Sequence, residues 1–253
     1  MPSIKIPRKV KLFLAPTIYF ALVIAMVVNV FVFFNQHYYL TIYVEGSSMS
    51  PTLNEHIETY SYTEEKGGQI VTIQVTDNVD FGFVDQHADA VKNIKRFDVV
   101  TVYYPWDNND YSQPYQRGDK CISSAYFKIK RVIAIPGDTF KIVKNELYIK
   151  DIESEEWVNV EMPFLPDTIS NERNIPETVV GQDEYWVAGD NWGHSADSFN
   201  HIGTDSSRTG PVYYENITGV LIAIQGTCTV KKESGKKDVI LNHHYYSKPI
   251  YFN

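Results

Sequence analysis

The chain has 253 residues, with 31 acidic against 23 basic side chains and a formal net charge of −8 at pH 7. This acidic balance, without a basic aromatic-rich patch, argues against nucleic acid as the main partner. A hydrophobic fraction of 43% is typical of a folded chain rather than a disordered one.

The first predicted element is a membrane anchor. The segment Leu12–Phe34 is almost wholly apolar and is long enough to span a bilayer as a helix. No basic residue follows this segment closely. Four basic residues precede it: Lys5, Arg8, Lys9 and Lys11. The positive-inside rule therefore predicts a cytoplasmic N-terminus at 1–11, a transmembrane anchor at 12–35 and an extracytoplasmic domain at 36–253. The segment is longer than the h-region of a signal peptide, and the residues after it are bulky, whereas a cleavage site needs small ones. We therefore expect an anchor rather than a cleaved leader.

Beyond the anchor, helical periodicity is nearly absent, and β-branched and aromatic runs recur between turn-rich segments. We expect a mostly β domain in which small sheets are joined by long loops. The runs predicted as strands are Tyr38–Val44, Ile70–Val75, Phe97–Tyr104, Lys128–Ile135, Phe140–Val143, Leu147–Ile149, Glu184–Ala188 and Val220–Ile224.

A first candidate for chemistry is the segment Gly46–Leu53, which reads Gly-Ser-Ser-Met-Ser-Pro-Thr-Leu and is called the serine loop below. Glycine leaves the main chain open to a substrate backbone. A serine becomes a nucleophile at neutral pH only beside a base. On residue type alone, Ser47, Ser48 and Ser50 remain alternative nucleophiles.

A base candidate occurs in Lys128–Asp138, which reads Lys-Ile-Lys-Arg-Val-Ile-Ala-Ile-Pro-Gly-Asp. An unperturbed lysine titrates near pH ~10 and is charged at neutral pH. Burial among apolar neighbours such as Ile129 and Val132 would lower the pKa of Lys130 by several units. The alternative for a lysine beside Arg131 is a solvated strand edge.

The segment Gly189–Ser198 reads Gly-Asp-Asn-Trp-Gly-His-Ser-Ala-Asp-Ser and is called the Gly-Asp-Asn loop below. Asp190 is accompanied by no Cys or His cluster and no series of spaced oxygen ligands, so we expect no metal there. A Ser-His dyad through His194 or His201 remains an alternative to the lysine.

These three segments, in this order behind one apolar segment, resemble the bacterial type I signal peptidases (leader peptidases). Members of that family carry Ser-Met-x-Pro-Thr-Leu, then Lys-Arg-Val-x-Gly-x-Pro-Gly-Asp, then Gly-Asp-Asn-x-x-x-Ser-x-Asp-Ser. This chain departs from the pattern at Ala134, where the family has glycine. The resemblance covers the anchor and most of Tyr43–Val212. It implies a signal-peptidase-like β fold of small sheets with long loops, preceded by one N-terminal transmembrane helix.

The resemblance implies roles for individual residues. Ser48 directly precedes methionine and would be the nucleophile, with Lys130 as its general base and the Ser48 backbone N–H as an oxyanion donor. Gly46 stands where one branch of the family has a second, hydroxyl donor. Ser195 would orient the lysine, and Asp197 and Arg131 would support the site.

The expected partner of Asp197 is displaced in this chain. The family has an arginine two residues after the aspartate, but that position is Phe199 here. A Ser-Arg pair recurs at Ser207-Arg208, as if an inserted loop had moved the arginine. Pairing of Asp197 with Arg208 is therefore a hypothesis.

The family cleaves signal peptides from exported preproteins after small residues at P1 and P3. By resemblance, the pockets that impose this would be lined by Val44, Met49, Leu53 and Ile129. The expected partners are preproteins with signal peptides and the lipid bilayer.

The resemblance also locates two variable regions. A smaller, variable subdomain is expected at about 139–183, and an insertion is expected at residues 61–90, because the family usually crosses this gap in fewer residues. We predict that Phe81–Phe83 is the aromatic tip of this insertion, where it would touch the membrane or a partner, or pack its own aromatics as an extra hairpin.

Two other functions remain as alternatives. An inactive, membrane-anchored homologue acting as a binding or assembly factor should lack the serine or the lysine, and this chain has both. A self-cleaving repressor with a Ser-Lys dyad should be cytoplasmic and carry a DNA-binding domain.

Cys121 and Cys228 are too few for a disulfide framework, and either one disulfide or two free thiols is compatible with the sequence.

Overall fold

The computed structural model describes residues 8–104, 128–151, 153–169, 172–199 and 210–252. Two α-helices and thirteen strands lie within these ranges: α1 (Arg8–His37), β1 (Tyr39–Tyr43), β2 (Glu58–Lys66), β3 (Gln69–Asp85), α2 (Ala88–Lys92), β4 (Val99–Val102), β5 (Lys128–Ala134), β6 (Thr139–Val143), β7 (Glu146–Lys150), β8 (Trp157–Val160), β9 (Ile175–Val179), β10 (Glu184–Ala188), β11 (Val212–Tyr213), β12 (Ile217–Glu233) and β13 (Val239–Tyr251).

Helix α1 contains the predicted anchor. Its segment Pro16–Phe33 is long and apolar enough to cross a membrane, and none of it is buried within the protein. Large apolar side chains are thus exposed along the helix. An apolar helix whose spanning segment is not buried by the rest of the described chain fits a membrane-anchored protein.

The strands form two antiparallel sheets. The larger has the order β1-β3-β12-β4-β5-β10-β11, and β2 and β13 extend it by pairing with β3 and β12. The smaller has the order β8-β7-β6-β9 and lies within the range expected for a variable subdomain. The prediction of a mostly β fold with small sheets behind one apolar helix is confirmed.

Each predicted run overlaps an observed strand, but β2, β8, β9, β11 and β13 were not predicted. In β2 and β13 most side chains on both faces are exposed, so neither strand shows the alternation of apolar and polar residues that marks a half-buried strand. The tail after Lys231, which had no predicted structure, continues β12 and returns as β13.

The prediction that Phe81–Phe83 is the tip of the insertion is wrong. The β2–β3 hairpin turns at Gly67 and Gly68, whose φ angles of 59° and 79° favour glycine. Phe81 lies instead in β3, opposite Tyr43 of β1 and Gly226 of β12. The apolar run was therefore a buried strand between two neighbours, which periodicity alone does not distinguish from an exposed tip.

The serine loop is held down by a core of the larger sheet. Met49 and Leu53 are each 1% exposed, and burial of side chains of this size stabilises the fold by about 1.5–3 kcal/mol each. The cluster around them comprises Ile42, Val44, Val84, Val99, Leu221 and Ile224. The polar residues between the two apolar anchors are thereby left at the surface.

A second core joins the Gly-Asp-Asn loop to the smaller sheet. Trp192 from the loop packs with Phe140, Ile142 and Leu147 of that sheet. Ile133 and Ala134 of β5 belong to the same cluster. The lysine strand β5 therefore has one core on each side, and its position is defined by both sheets.

Candidate active site

The side chains of Ser48 and Lys130 meet at the surface end of β5. Lys130 Nζ lies 2.8 Å from Ser48 Oγ and 2.9 Å from the carbonyl oxygen of Ile129. Strand β5 pairs with β4, and Lys130 lies opposite Val100. The serine loop follows β1, which is separated from β5 by β3, β12 and β4 in the order of the larger sheet. The sheet thus brings together two residues that are 82 positions apart.

The environment of Lys130 favours the neutral amine. The residue is 3% exposed, and burial, with a smaller contribution from the positive charge of Lys128, lowers the pKa of Lys130 to about 8. The carboxylates of Asp197 and Asp190 act in the opposite direction and raise this pKa. A substantial fraction of Lys130 is therefore neutral at slightly alkaline pH and can accept a proton from the adjacent hydroxyl.

The serine loop is a compact turn around the nucleophile candidate. The backbone N–H of Ser50 donates to the Ser47 carbonyl at 3.1 Å, and that of Leu53 donates to the Met49 carbonyl at 2.9 Å. Within the part of the chain that the structure describes, the Ser48 N–H has no acceptor. This N–H is available to donate a hydrogen bond to the carbonyl oxygen of a substrate placed beside Ser48 Oγ.

Gly46 precedes this turn in a conformation that suits glycine. Its φ is +80°, a value that L side chains rarely adopt. A serine at this position would be strained in the observed loop, although a Cβ would meet open space. A serine hydroxyl at this position, which serves as a second oxyanion donor in one branch of the resembled family, therefore does not fit this backbone.

The Gly-Asp-Asn loop packs directly against the serine loop. Asn191 donates through its backbone N–H to the Ser48 carbonyl at 3.0 Å and through Nδ2 to the Ser47 carbonyl at 3.1 Å. A Cβ on Gly189 would lie 2.2 Å from the Ser48 carbonyl oxygen. The close approach of the two loops thus depends on a residue without a side chain at Gly189.

Ser195 lies behind this contact rather than on the lysine. Its Oγ accepts the Gly189 N–H at 3.1 Å and is buried. Among the described residues, the hydrogen bonds of Lys130 Nζ go to Ser48 and Ile129, and none goes to Ser195. The orienting role of Ser195 stays a prediction, and the structure adds a contact that supports Gly189.

Arg131 connects β5 to the Gly-Asp-Asn loop. Its Nε and Nη2 donate to the two carboxylate oxygens of Asp190 at 2.8 and 2.7 Å, and its Nη1 donates to the Phe97 carbonyl at 2.9 Å. The guanidinium also stacks on the ring of Phe164, 4.1 Å from its centroid. Sequence reasoning missed Asp190 as a partner, although opposite charges in two of the three segments were an available signal.

The buried partner found for Asp197 is Arg173. Arg173 Nη2 donates to Asp197 Oδ2 at 3.0 Å, and the guanidinium lies 4.5 Å from the ring centroid of Trp192. The same carboxylate accepts the N–H groups of Gly189 and Phe199. The hypothetical partner Arg208 lies outside the described residues. No motif pointed to Arg173, because it lies between β8 and β9, outside the three motif segments.

The predicted pocket residues lie in one cluster. Val44, Met49 and Leu53 are buried together, and the partly buried Ile129 packs against them. Their contact with a substrate remains a prediction.

Of the other candidate bases and ligands, two lie within the described residues, His194 and Cys228. His194 is exposed and has no hydrogen bond with Ser48, whereas His201 lies outside the described residues. No group of three or more His, Cys, Asp or Glu residues that could hold a metal ion occurs in the described ranges. Cys228 is a buried free thiol, and Cys121 lies outside the described residues.

The chain is similar in sequence to proteins of one known family. The model of the signal peptidase family, peptidase S26, matches residues 12–225. Signal peptidase I P of Bacillus subtilis subsp. natto is 30% identical over 105 residues, which cover 37% of this chain and 53% of that protein. Signal peptidase I U of Bacillus subtilis strain 168 is 25% identical over 176 residues, which cover 67% of this chain and 70% of that protein. The chain thus spans about half the length of the first of these relatives.

A crystal structure of a signal peptidase I from Enterococcus faecalis is also similar. It has 22% sequence identity and a TM-score of 0.31, and the match covers 51% of this chain and 97% of the other.

Proposed function

The chain belongs to the signal peptidase family, peptidase S26, and we propose from this that it is a membrane-bound serine endopeptidase that removes signal peptides from exported preproteins. Ser48 and Lys130 form its catalytic dyad. The observation that carries the proposal is the 2.8 Å contact between a serine hydroxyl and a buried lysine. Both residues occur at the positions that match the family motifs.

The proposed reaction begins when neutral Lys130 Nζ accepts the proton of Ser48 Oγ as this oxygen attacks the scissile carbonyl. The oxyanion that forms accepts a hydrogen bond from the Ser48 N–H. Lys130 then gives its proton to the leaving amine, and the C–N bond breaks to leave an acyl-enzyme on Ser48. Water, deprotonated by Lys130, attacks the ester and releases Ser48 Oγ with its proton restored.

Specificity for small residues at P1 and P3 is assigned to the pockets around Val44, Met49, Leu53 and Ile129. Support comes from their shared burial in the core beneath the serine loop. A tightly packed wall with little room to move limits the side chain that can enter. No cofactor takes part in this mechanism.

The proposed location is the cell membrane, with one spanning helix, a cytoplasmic N-terminus and an extracytoplasmic catalytic domain. Support comes from the exposed apolar segment Pro16–Phe33 and from the basic residues before it. The lipid bilayer and the membrane-inserted signal peptide are then the partners of the protein. A binding factor without activity is disfavoured because both dyad residues are present and in contact.

The test is cleavage of a preprotein by the wild type and by Ser48→Ala and Lys130→Ala. Both variants should lose cleavage, because one lacks the nucleophile and the other lacks its base. Ser47→Ala and Ser50→Ala are matched controls in the same loop and should retain most of the activity. Full activity of Ser48→Ala protein would exclude the mechanism, and an inactive wild type on every preprotein would favour the binding factor.

A further inference from the structure

Asn54 follows the serine loop and is buried, with a φ of 57°. Its side-chain Nδ2 donates two hydrogen bonds, to the Val44 carbonyl at 2.5 Å and to the Gly46 carbonyl at 2.9 Å. Both acceptors belong to the segment that leads directly into Ser48. One amide group therefore ties the backbone on the two sides of the nucleophile turn to each other.

The same asparagine forms a reciprocal pair with Asp80 of β3. The Asn54 backbone N–H donates to Asp80 Oδ2 at 2.6 Å, and the Asp80 backbone N–H donates to Asn54 Oδ1 at 2.8 Å. The Asp80 carbonyl in turn accepts the Val44 N–H at 2.8 Å. Asp80 thus holds Asn54 and Val44 from the central part of the sheet.

The chemistry of the asparagine side chain matches this position. An amide offers two N–H donors and one acceptor in a plane, and all three are used here. Asparagine also tolerates a positive φ better than other residues with side chains. An aspartate at position 54 would keep the oxygen that accepts from Asp80 but would have no N–H to donate to the Val44 and Gly46 carbonyls. A glycine would tolerate the positive φ but would lose all three side-chain hydrogen bonds.

We propose that Asn54 is a positioning residue that, together with Asp80, fixes the Val44–Gly46 segment and thereby places Ser48 against Lys130. Asn54 touches no reacting atom and acts through the backbone of the loop. This role rests on the proposed peptidase function, since it concerns the geometry of the same dyad. A displacement of reacting groups by about 1 Å costs about 10²-fold in rate, so a buried clamp of this kind would have a large effect on turnover.

The first test compares kcat and KM of the full-length enzyme carrying Asn54→Asp or Asn54→Gly, at a temperature where each variant is fully folded. Asn78→Asp is the matched control. Asn78 also has a φ of 57°, and its Nδ2 donates to the His56 carbonyl at 3.1 Å, but this bond is exposed and lies outside the serine loop. Both Asn54 variants should lower kcat by about 10²-fold with a smaller change in KM, and the control should match the wild type.

A second test does not need activity. Amide hydrogen exchange of the full-length protein in detergent micelles should become faster in residues 44–50 of the Asn54 variants and stay unchanged in the Asn78 control. Unchanged kcat together with unchanged exchange in residues 44–50 would overturn the positioning role. If the wild type cleaves no preprotein, the peptidase proposal fails, and the exchange result alone still decides whether Asn54 holds the loop.

Discussion

Arg173 and Asp197 form a buried ion pair, in which Nη2 lies 3.0 Å from Oδ2 and the side chains are 2% and 0% exposed. The pair joins the segment before β9, which contains Arg173, to the Gly-Asp-Asn loop. Asp197 lies in this loop, two residues after Ser195. Because the Asp197 carboxylate also accepts the Gly189 N–H, the charge pair supports the backbone that contacts Ser48. The smaller sheet is thereby coupled to the candidate active site.

Replacing Arg173 with methionine should destabilise the protein by about 3–5 kcal/mol, because it removes the guanidinium from a buried carboxylate. Chemical denaturation of Arg173→Met, Asp197→Asn and the double variant measures this. We expect the double variant to be more stable than Arg173→Met, since the neutral amide needs no counter-charge. Strictly additive losses would show that the two residues are not coupled.

Gly189→Ala should reduce kcat/KM by about 10²-fold, because a Cβ 2.2 Å from the Ser48 carbonyl oxygen must push the nucleophile loop away. Gly226→Ala is the control, since its Cβ would lie 2.0 Å from the His244 carbonyl oxygen, a similar backbone clash that lies between β12 and β13 and does not involve the serine loop. The control should lower the melting temperature yet keep the kcat/KM of the folded enzyme. Equal losses of kcat/KM in both variants would argue for a general effect on folding.

The pH dependence of kcat/KM should have an acidic limb near pH 8, because the base must be neutral and the pKa of Lys130 is lowered to about 8. Lys128 lies two residues earlier on β5, is exposed, and contributes a repelling charge that lowers this pKa. Lys128→Tyr or Lys128→Gln removes that charge, so the pKa of Lys130 should rise and the limb should move to higher pH.

The control for this shift is Lys92→Gln on α2, because Lys92 is not among the charges that shift the pKa of Lys130. High salt should also reduce the difference between wild type and the Lys128 variants, since exposed charges are screened. A limb that stays in place in the Lys128 variants would mean that Lys128 extends into water and barely affects Lys130. A limb that moves to lower pH would contradict the proposed repulsion.

Protease added to intact protoplasts should degrade the region Tyr38–Asn253, since the basic residues before the apolar helix predict that this region lies outside the cytoplasm. Immunodetection with an antibody against the C-terminal region follows the loss. A cytoplasmic marker protein should survive until the cells are lysed. Protection of the region in intact cells would reverse the predicted topology.

Much of the fold could be predicted, and Ser48 and Lys130 could be chosen as candidates, because the signals for both are local. The apolar segment in α1 and the β-branched runs of β4, β5 and β12 identify themselves by composition. Ser48 and Lys130 were selected by short motifs around them. Strands β2 and β13 escaped prediction, because side chains exposed on both faces leave no periodicity to detect.

Local stretches of the chain were enough to predict the apolar helix, most of the strands, the family and the candidates for nucleophile and base, since each depends on residues that are near neighbours in the chain. The pairs of distant residues that meet became visible in the packed fold alone: Arg173 with Asp197, Arg131 with Asp190, and Asn54 with Asp80. Such pairs form because a buried charge or amide must find a partner wherever the strands bring one, and this depends on strand order and register. The lowered pKa of Lys130 belongs to the same class, because burial exists only after the sheets and loops have packed around the amine.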